Sequence, residues 1–146
     1  MALTEREQAF LEQHASAAMI TLRADGSPHA VRVGVGLVDG KIWSSGTRGR
    51  VRTAHLRRDP RSTLFVFDGW RWLALDSTVT MLEGPDAAEM NVRLFQVMQR
   101  RLDPGPSPGK LLWEGTERTL EEFRRVMVEE QRLIYQFEVI RTYGMH

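Results

Sequence analysis

From His29 to Val38 the chain alternates, with Val31, Val33, Val35 and Leu37 on one side and Ala30, Arg32, Gly34 and Gly36 on the other. Period two rules out a helix here, and a β-branched face suits a half-buried pleated surface. Asp39-Gly40 follows directly. Both positions of such a pair tolerate the positive φ of a two-residue hairpin turn. The chain must therefore double back, and Lys41 to Thr47 is the return strand.

The same reasoning extends outward. Thr4 with Glu7 is a capping-box pair opening a short helix that runs to about His14. Ala18 to Leu22 reads as a strand, with Asp25-Gly26 in the turn after it. Val51 to Arg58 is a short helix that Pro60 must end. Ser62 to Phe67 and Trp70 to Met81 make a second hairpin across Asp68-Gly69. Asp86 to Leu102 and Leu120 to Glu130 are helices around the loop Asp103 to Lys110, and Arg132 to Tyr143 closes the chain as a strand. Six strands joined mostly by short turns, with helices that do not alternate regularly, exclude a doubly wound parallel sheet. The expectation is a mainly β (α+β) fold: a six-stranded antiparallel barrel with peripheral helices, one domain over residues 1–146.

Composition narrows the chemistry. The chain has no cysteine, so disulfides, thiolate metal sites and thiol nucleophiles are all excluded. His14, His29, His55 and His146 lack metal-binding spacing, and a surface role is expected for them. No metal and no catalytic side-chain constellation is expected. No stretch approaches the roughly 18 apolar residues of a membrane span, and the N-terminus lacks a signal-peptide pattern. A cytoplasmic protein with no membrane partner is the expectation.

Net charge is only +1, yet six arginines fall between Gly46 and Arg61. Arg48, Arg50 and Arg52 surround the start of the 51–58 helix, where backbone amides and bidentate guanidinium groups together suit a phosphate. Arg57, Arg58 and Arg61 lie at or beyond its C-terminal end, where the helix dipole and solvation account for them. The charge is confined to one loop and helix, and the four tryptophans lie elsewhere, so no nucleic acid is expected as partner. Glycines inside a strand mark a bulge or a close approach. Gly34 and Gly36 leave three readings open: a planar ring lying beside Arg32, strand twist, or packing against another chain. Trp70 and Trp72 belong to a core or an interface.

Arg48-Gly49-Arg50-Val51-Arg52-Thr53-Ala54-His55-Leu56-Arg57-Arg58-Asp59-Pro60-Arg61, behind a strand and a Ser/Thr/Gly stretch, resembles the pyridoxamine 5′-phosphate oxidase-like split barrels. It is most similar to their coenzyme F420-dependent (deazaflavin) branch, whose pattern runs RGR-x-K-x-x-N-L-R-x-D-P-R. The segment Met19 to Ser45 and the closing Arg141-Thr142-Tyr143-Gly144 fit the same family. Arg52 stands where the family usually has lysine, and His55 where it has asparagine. The resemblance implies a homodimer with the cofactor, coenzyme F420 or alternatively FMN, at the interface. It implies that Arg50 and Arg52 bind the phosphate, with Thr47 and Arg48 alongside. Arg32, Val33, Gly34 and Val35, with Ser44, Ser45 and Gly46, would line the ring, and Trp72 and Tyr143 would close the groove from the partner chain. The implied activity is hydride transfer from the reduced deazaflavin to a conjugated small-molecule substrate. An FMN-dependent oxidase or reductase, and a flavin- or deazaflavin-binding protein without turnover, are the alternatives.

Overall fold

The alternating run does form extended backbone, but it breaks at Val35 into two strands that serve opposite edges of one sheet. A computed structural model describes all 146 residues, Met1–His146. Its elements in chain order are α1 (Glu5–Gln13), β1 (Ser16–Leu22), β2 (Pro28–Gly34), β3 (Gly36–Val38), β4 (Lys41–Thr47), α2 (Val51–Arg58) and β5 (Arg61–Asp68). They continue with β6 (Arg71–Leu82), α3 (Ala87–Gln99), β7 (Lys110–Trp113), β8 (Thr116–Thr119), α4 (Leu120–Glu129) and β9 (Arg132–Met145).

The main sheet has the order β2-β1-β5-β6-β9-β4-β3, and every pairing is antiparallel. Its two outermost strands, β2 and β3, are joined by Val35 alone. The sheet must therefore curl until its edges meet. The Ser44 hydroxyl holds the seam by donating to the Gly34 carbonyl at 2.7 Å, and the Val35 amide donates to Ala15 O at 2.7 Å. The split barrel is confirmed with seven strands rather than six, because the break at Val35 divides one run into two strands.

Seventeen buried side chains fill the barrel, among them Met19, Val33, Val35, Leu64, Leu73, Leu75 and Tyr135. All three expected turns form, with Gly26 at φ 84°, Asp39 and Gly40 at 51° and 77°, and Gly69 at 63°. Thr4 and Glu7 make both bonds of their capping box, at 2.8 and 3.1 Å. A second capping box, Thr119 with Glu122, opens α4. The hairpin β7–β8 turns through Glu114-Gly115, both at positive φ. With α3 and α4 it forms a separate apolar cluster of Val92, Leu111, Phe123 and Met127.

Helix α3 covers the seam. A Cβ on Gly34 would meet Met98 Sδ at 3.1 Å, and one on Gly36 would meet Leu94 Cδ1 at 3.0 Å. The bare face of the alternating run is therefore packed by a helix of the same chain. Close packing by α3 thus accounts for both glycines, while Arg32 on the same side of the run stays exposed.

Candidate functional site

β4 delivers its last residues, Ser44 to Thr47, beside the seam and then turns into α2. Arg50 is the N-cap of α2, and no side chain caps the helix. Its amides and partial positive charge thus face outward beside Arg48 and Arg50, both exposed. Thr53, fully buried one turn on, donates its hydroxyl to Thr47 O at 2.7 Å and so ties the helix to the strand.

Arg52 lies differently from its neighbours. It is half-buried, it reaches Ser45 O with Nη2 at 3.4 Å, and its guanidinium lies 5.6 Å from the centre of the Tyr135 ring. Its Nε is buried without a partner. Burial pulls its pKa below the usual arginine value, Tyr135 opposes that shift, and the charges of Arg50 and Arg132 reinforce it. No carboxylate pairs with it. The Arg132 guanidinium, whose charge bears on Arg52, donates to Glu130 Oε1 at 3.0 and 2.8 Å.

The other arginines of the cluster are held within the fold. Arg57 makes a two-point pair with Glu83 at 3.0 and 2.7 Å, and Arg48 Nε lies 3.5 Å from the same carboxylate. The bonds from Arg57 hold the Glu83 carboxyl below the usual range. Arg58 donates to Leu22 O, and Arg61 clasps Asp59, holding that carboxyl down at about 2. Arg57, Arg58 and Arg61 thus have partners within the fold, beyond the helix dipole and solvation expected to account for them, and Arg48 is drawn toward Glu83.

Most of the remaining expected residues are near one another. Arg32 is exposed on β2 and donates to Ser16 Oγ at 2.9 Å. Val33 and Val35 are in the barrel core, Gly34 is under Met98, and Ser44 is fully buried at the seam. Ser45 donates to Asn91 Oδ1 at 2.5 Å, and Asn91 in turn donates to Ala87 O, which locks α3 onto β4. Gly46 faces the ring of Tyr135, which a Cβ there would overlap. Its missing side chain makes room for a tyrosine of the same chain.

Trp72 and Tyr143 are not near the arginines. They meet each other edge to face at 6.1 Å, in a run with Phe65 and Phe67. Trp72 pairs with Met145 at one end of β6, whereas Leu82 at the other end pairs with Ile134, the partner of Ser45. Ten strand residues at about 3.3 Å each put on the order of 30 Å between them. Trp70 is 73% exposed, so a place in the core is excluded for it.

His55 is a correction. It is buried, its Nδ1 shares a 2.9 Å hydrogen bond with Thr21 Oγ1, and His29 meets its ring edge-on at 5.1 Å. Tyr135, Thr53, Asn91 and Arg132 were not singled out from the sequence. In sequence Tyr135 alternates with Leu133, Phe137 and Val139 along β9, and nothing in that pattern sets it apart.

The model of the pyridoxamine 5′-phosphate oxidase family matches residues 3–118. An F420-dependent biliverdin reductase of Mycobacterium tuberculosis is 32% identical over 115 residues, which is 77% of this chain and 82% of that protein. Among solved structures, the conserved hypothetical protein Rv2991 of Mycobacterium tuberculosis superposes with a TM-score of 0.73 at 22% identity, covering 99% of this chain and 86% of that one. An F420 reductase superposes at 0.66 with 18% identity, covering 97% and 98%. At those identities the two structures speak to the fold, and they share this one. With a family model spanning most of its length and a relative this similar, the chain belongs to the pyridoxamine 5′-phosphate oxidase family.

Proposed function

We propose that this chain is a deazaflavin-dependent oxidoreductase that holds the phosphate of coenzyme F420 at the mouth of α2. One observation carries the reading. Arg52 is a half-buried cation with an unpartnered Nε, no carboxylate partner and two further arginines pressing on it. Enclosing a cation without a counter-charge is costly, and a bound phosphate removes that cost. The uncapped helix start and the exposed Arg50 supply further donors to the same point.

Bound there in reduced form, the deazaflavin supplies a hydride for an unsaturated or conjugated small molecule. The chain's own residues bind and orient. Arg50 and Arg52 grip the phosphate, with Thr47 and Arg48 alongside. Arg32 and Ser45 flank the ring, while Val33, Gly34, Val35, Ser44 and Gly46 contribute backbone and shape. Trp72 and Tyr143 close the groove of a second copy of the chain, in a homodimer. The 32% identical biliverdin reductase, which uses F420, favours the deazaflavin over FMN.

Titration of the protein with F420 and with FMN, followed by fluorescence, tests this. Arg50→Ala combined with Arg52→Ala should weaken binding by about a hundredfold or more, since two charge-assisted anchors are lost. The thermal midpoint should hold, because neither guanidinium has an ion-pair partner to strand. Unchanged affinity in the double variant would remove the phosphate from this position. Binding of FMN without F420 would change the coenzyme and keep the site.

A further inference from the structure

We propose that Tyr135 is the positioning residue for Arg52, and that Gly46 is glycine because this tyrosine lies over it. The inference rests on the reading that Arg52 holds the cofactor phosphate, and it concerns what keeps that guanidinium aimed.

Tyr135 is completely buried on β9, between Ser44 of β4 and Met81 of β6. Its ring covers the backbone of Gly46, where any Cβ would overlap the hydroxyl and the ring carbons. The hydroxyl is bonded to Thr53 Oγ1. Thr53 has one proton and gives it to Thr47 O, so the phenol must be the donor between the two. The Arg52 guanidinium lies 5.6 Å from the centre of the same ring, so the ring that covers Gly46 also faces the cation. With Ser45 O accepting from its Nη2 at 3.4 Å, the guanidinium is held between one uncharged acceptor and an aromatic ring. That arrangement fixes where the cation points while leaving its charge uncompensated. A carboxylate in place of the phenol would have fixed it equally well and cancelled the field that attracts an anion. The hydroxyl chain also ties this aim to the start of α2, because Thr53 belongs to that helix and Thr47 to the end of β4.

The test is a double-mutant cycle read by cofactor affinity. Tyr135→Phe keeps the ring over Gly46 and removes only the hydroxyl. It releases the ring from Thr53 and so loosens the surface on which Arg52 rests, which should weaken F420 binding about fivefold, the loss expected for one neutral hydrogen bond. In an Arg52→Ala background the same substitution should cost nothing further. Equal losses in both backgrounds, or no loss in either, would overturn the proposal. A second measurement needs no cofactor. In the free protein, the Arg52 Nε–H signal in nitrogen-15 spectra, assigned by its absence in Arg52→Ala, should exchange with water at least about fivefold faster in Tyr135→Phe. If F420 and FMN both fail to bind the unaltered protein, the phosphate reading fails. Unchanged exchange in that spectrum would instead refute the positioning role.

Discussion

A methyl group at position 46 would overlap the Tyr135 hydroxyl and ring, and the ring has no room to retreat because β4 and β6 flank it. Gly46→Ala should therefore destabilise the fold by about 3 kcal/mol, the upper part of the range for overpacking a filled core. Three positions on, Gly49 has nothing within 4 Å of its would-be Cβ and no positive φ. Gly49→Ala should change stability by no more than about 0.5 kcal/mol. Urea denaturation of the two variants checks both figures. Equal effects would mean that the Tyr135 ring moves aside. Two glycines of one short stretch thus differ by what lies across the barrel, and the two arginines Arg50 and Arg52 differ in the same way. One is exposed, and the other is folded back onto β4 and Tyr135. Charge and spacing single out both arginines. The lining of Arg52 could not be read in advance, because Tyr135 is 83 positions away and nothing in β9 distinguishes it from the other apolar residues.

Helix α2 is attached to the barrel partly through His55, whose ring takes part in a bond with Thr21 on β1. Burial lowers its pKa below the ordinary 6.5, and the neighbouring charges of His29, Arg58 and Arg23 add to the effect. The sign follows from linkage. Below about pH 6.5 the unfolded chain takes up this proton more readily than the folded one, so stability falls as pH falls through that window and is complete above it. His55→Asn removes the titrating group while keeping a polar side chain. Between about pH 7.5 and pH 5.5, the drop in thermal midpoint should be smaller for the variant than for the unaltered protein. Equal drops would place the acid sensitivity elsewhere.

Among the elements, those set by local chemistry were legible. Asp39-Gly40 turned where its φ tolerance allows, Thr4 capped α1, and α2 ended before Pro60. Those set by closure were not. The break at Val35 exists because one run must serve both edges of a curled sheet, and alternation alone carries no trace of it. The β7–β8 hairpin escaped notice because its strands are four residues each and its turn is Glu114-Gly115.

For the molecule as a whole, the separation of Trp72 from Arg52 decides what assembly the proposed site needs. The two residues are on the order of 30 Å apart along the sheet, too far to touch one small cofactor in one chain. If both serve the same site, they come from different copies, and that can be tested without seeing the dimer. Arg52→Ala removes the phosphate grip and leaves Trp72 intact; Trp72→Ala does the reverse. Each homodimer should bind F420 poorly. When the two variants are produced together, half of the dimers are mixed at random pairing. In each mixed dimer one groove combines Arg52 of one chain with Trp72 of the other, and the second groove lacks both. About a quarter of all grooves should therefore regain unaltered affinity, a fraction set only by two-fold symmetry. Dual-tag purification of the mixed species should raise that fraction to about one half. No recovery in purified mixed dimers would mean that Arg52 and Trp72 do not share a groove across the interface. Full affinity in the Trp72→Ala homodimer would remove the tryptophan from the site altogether.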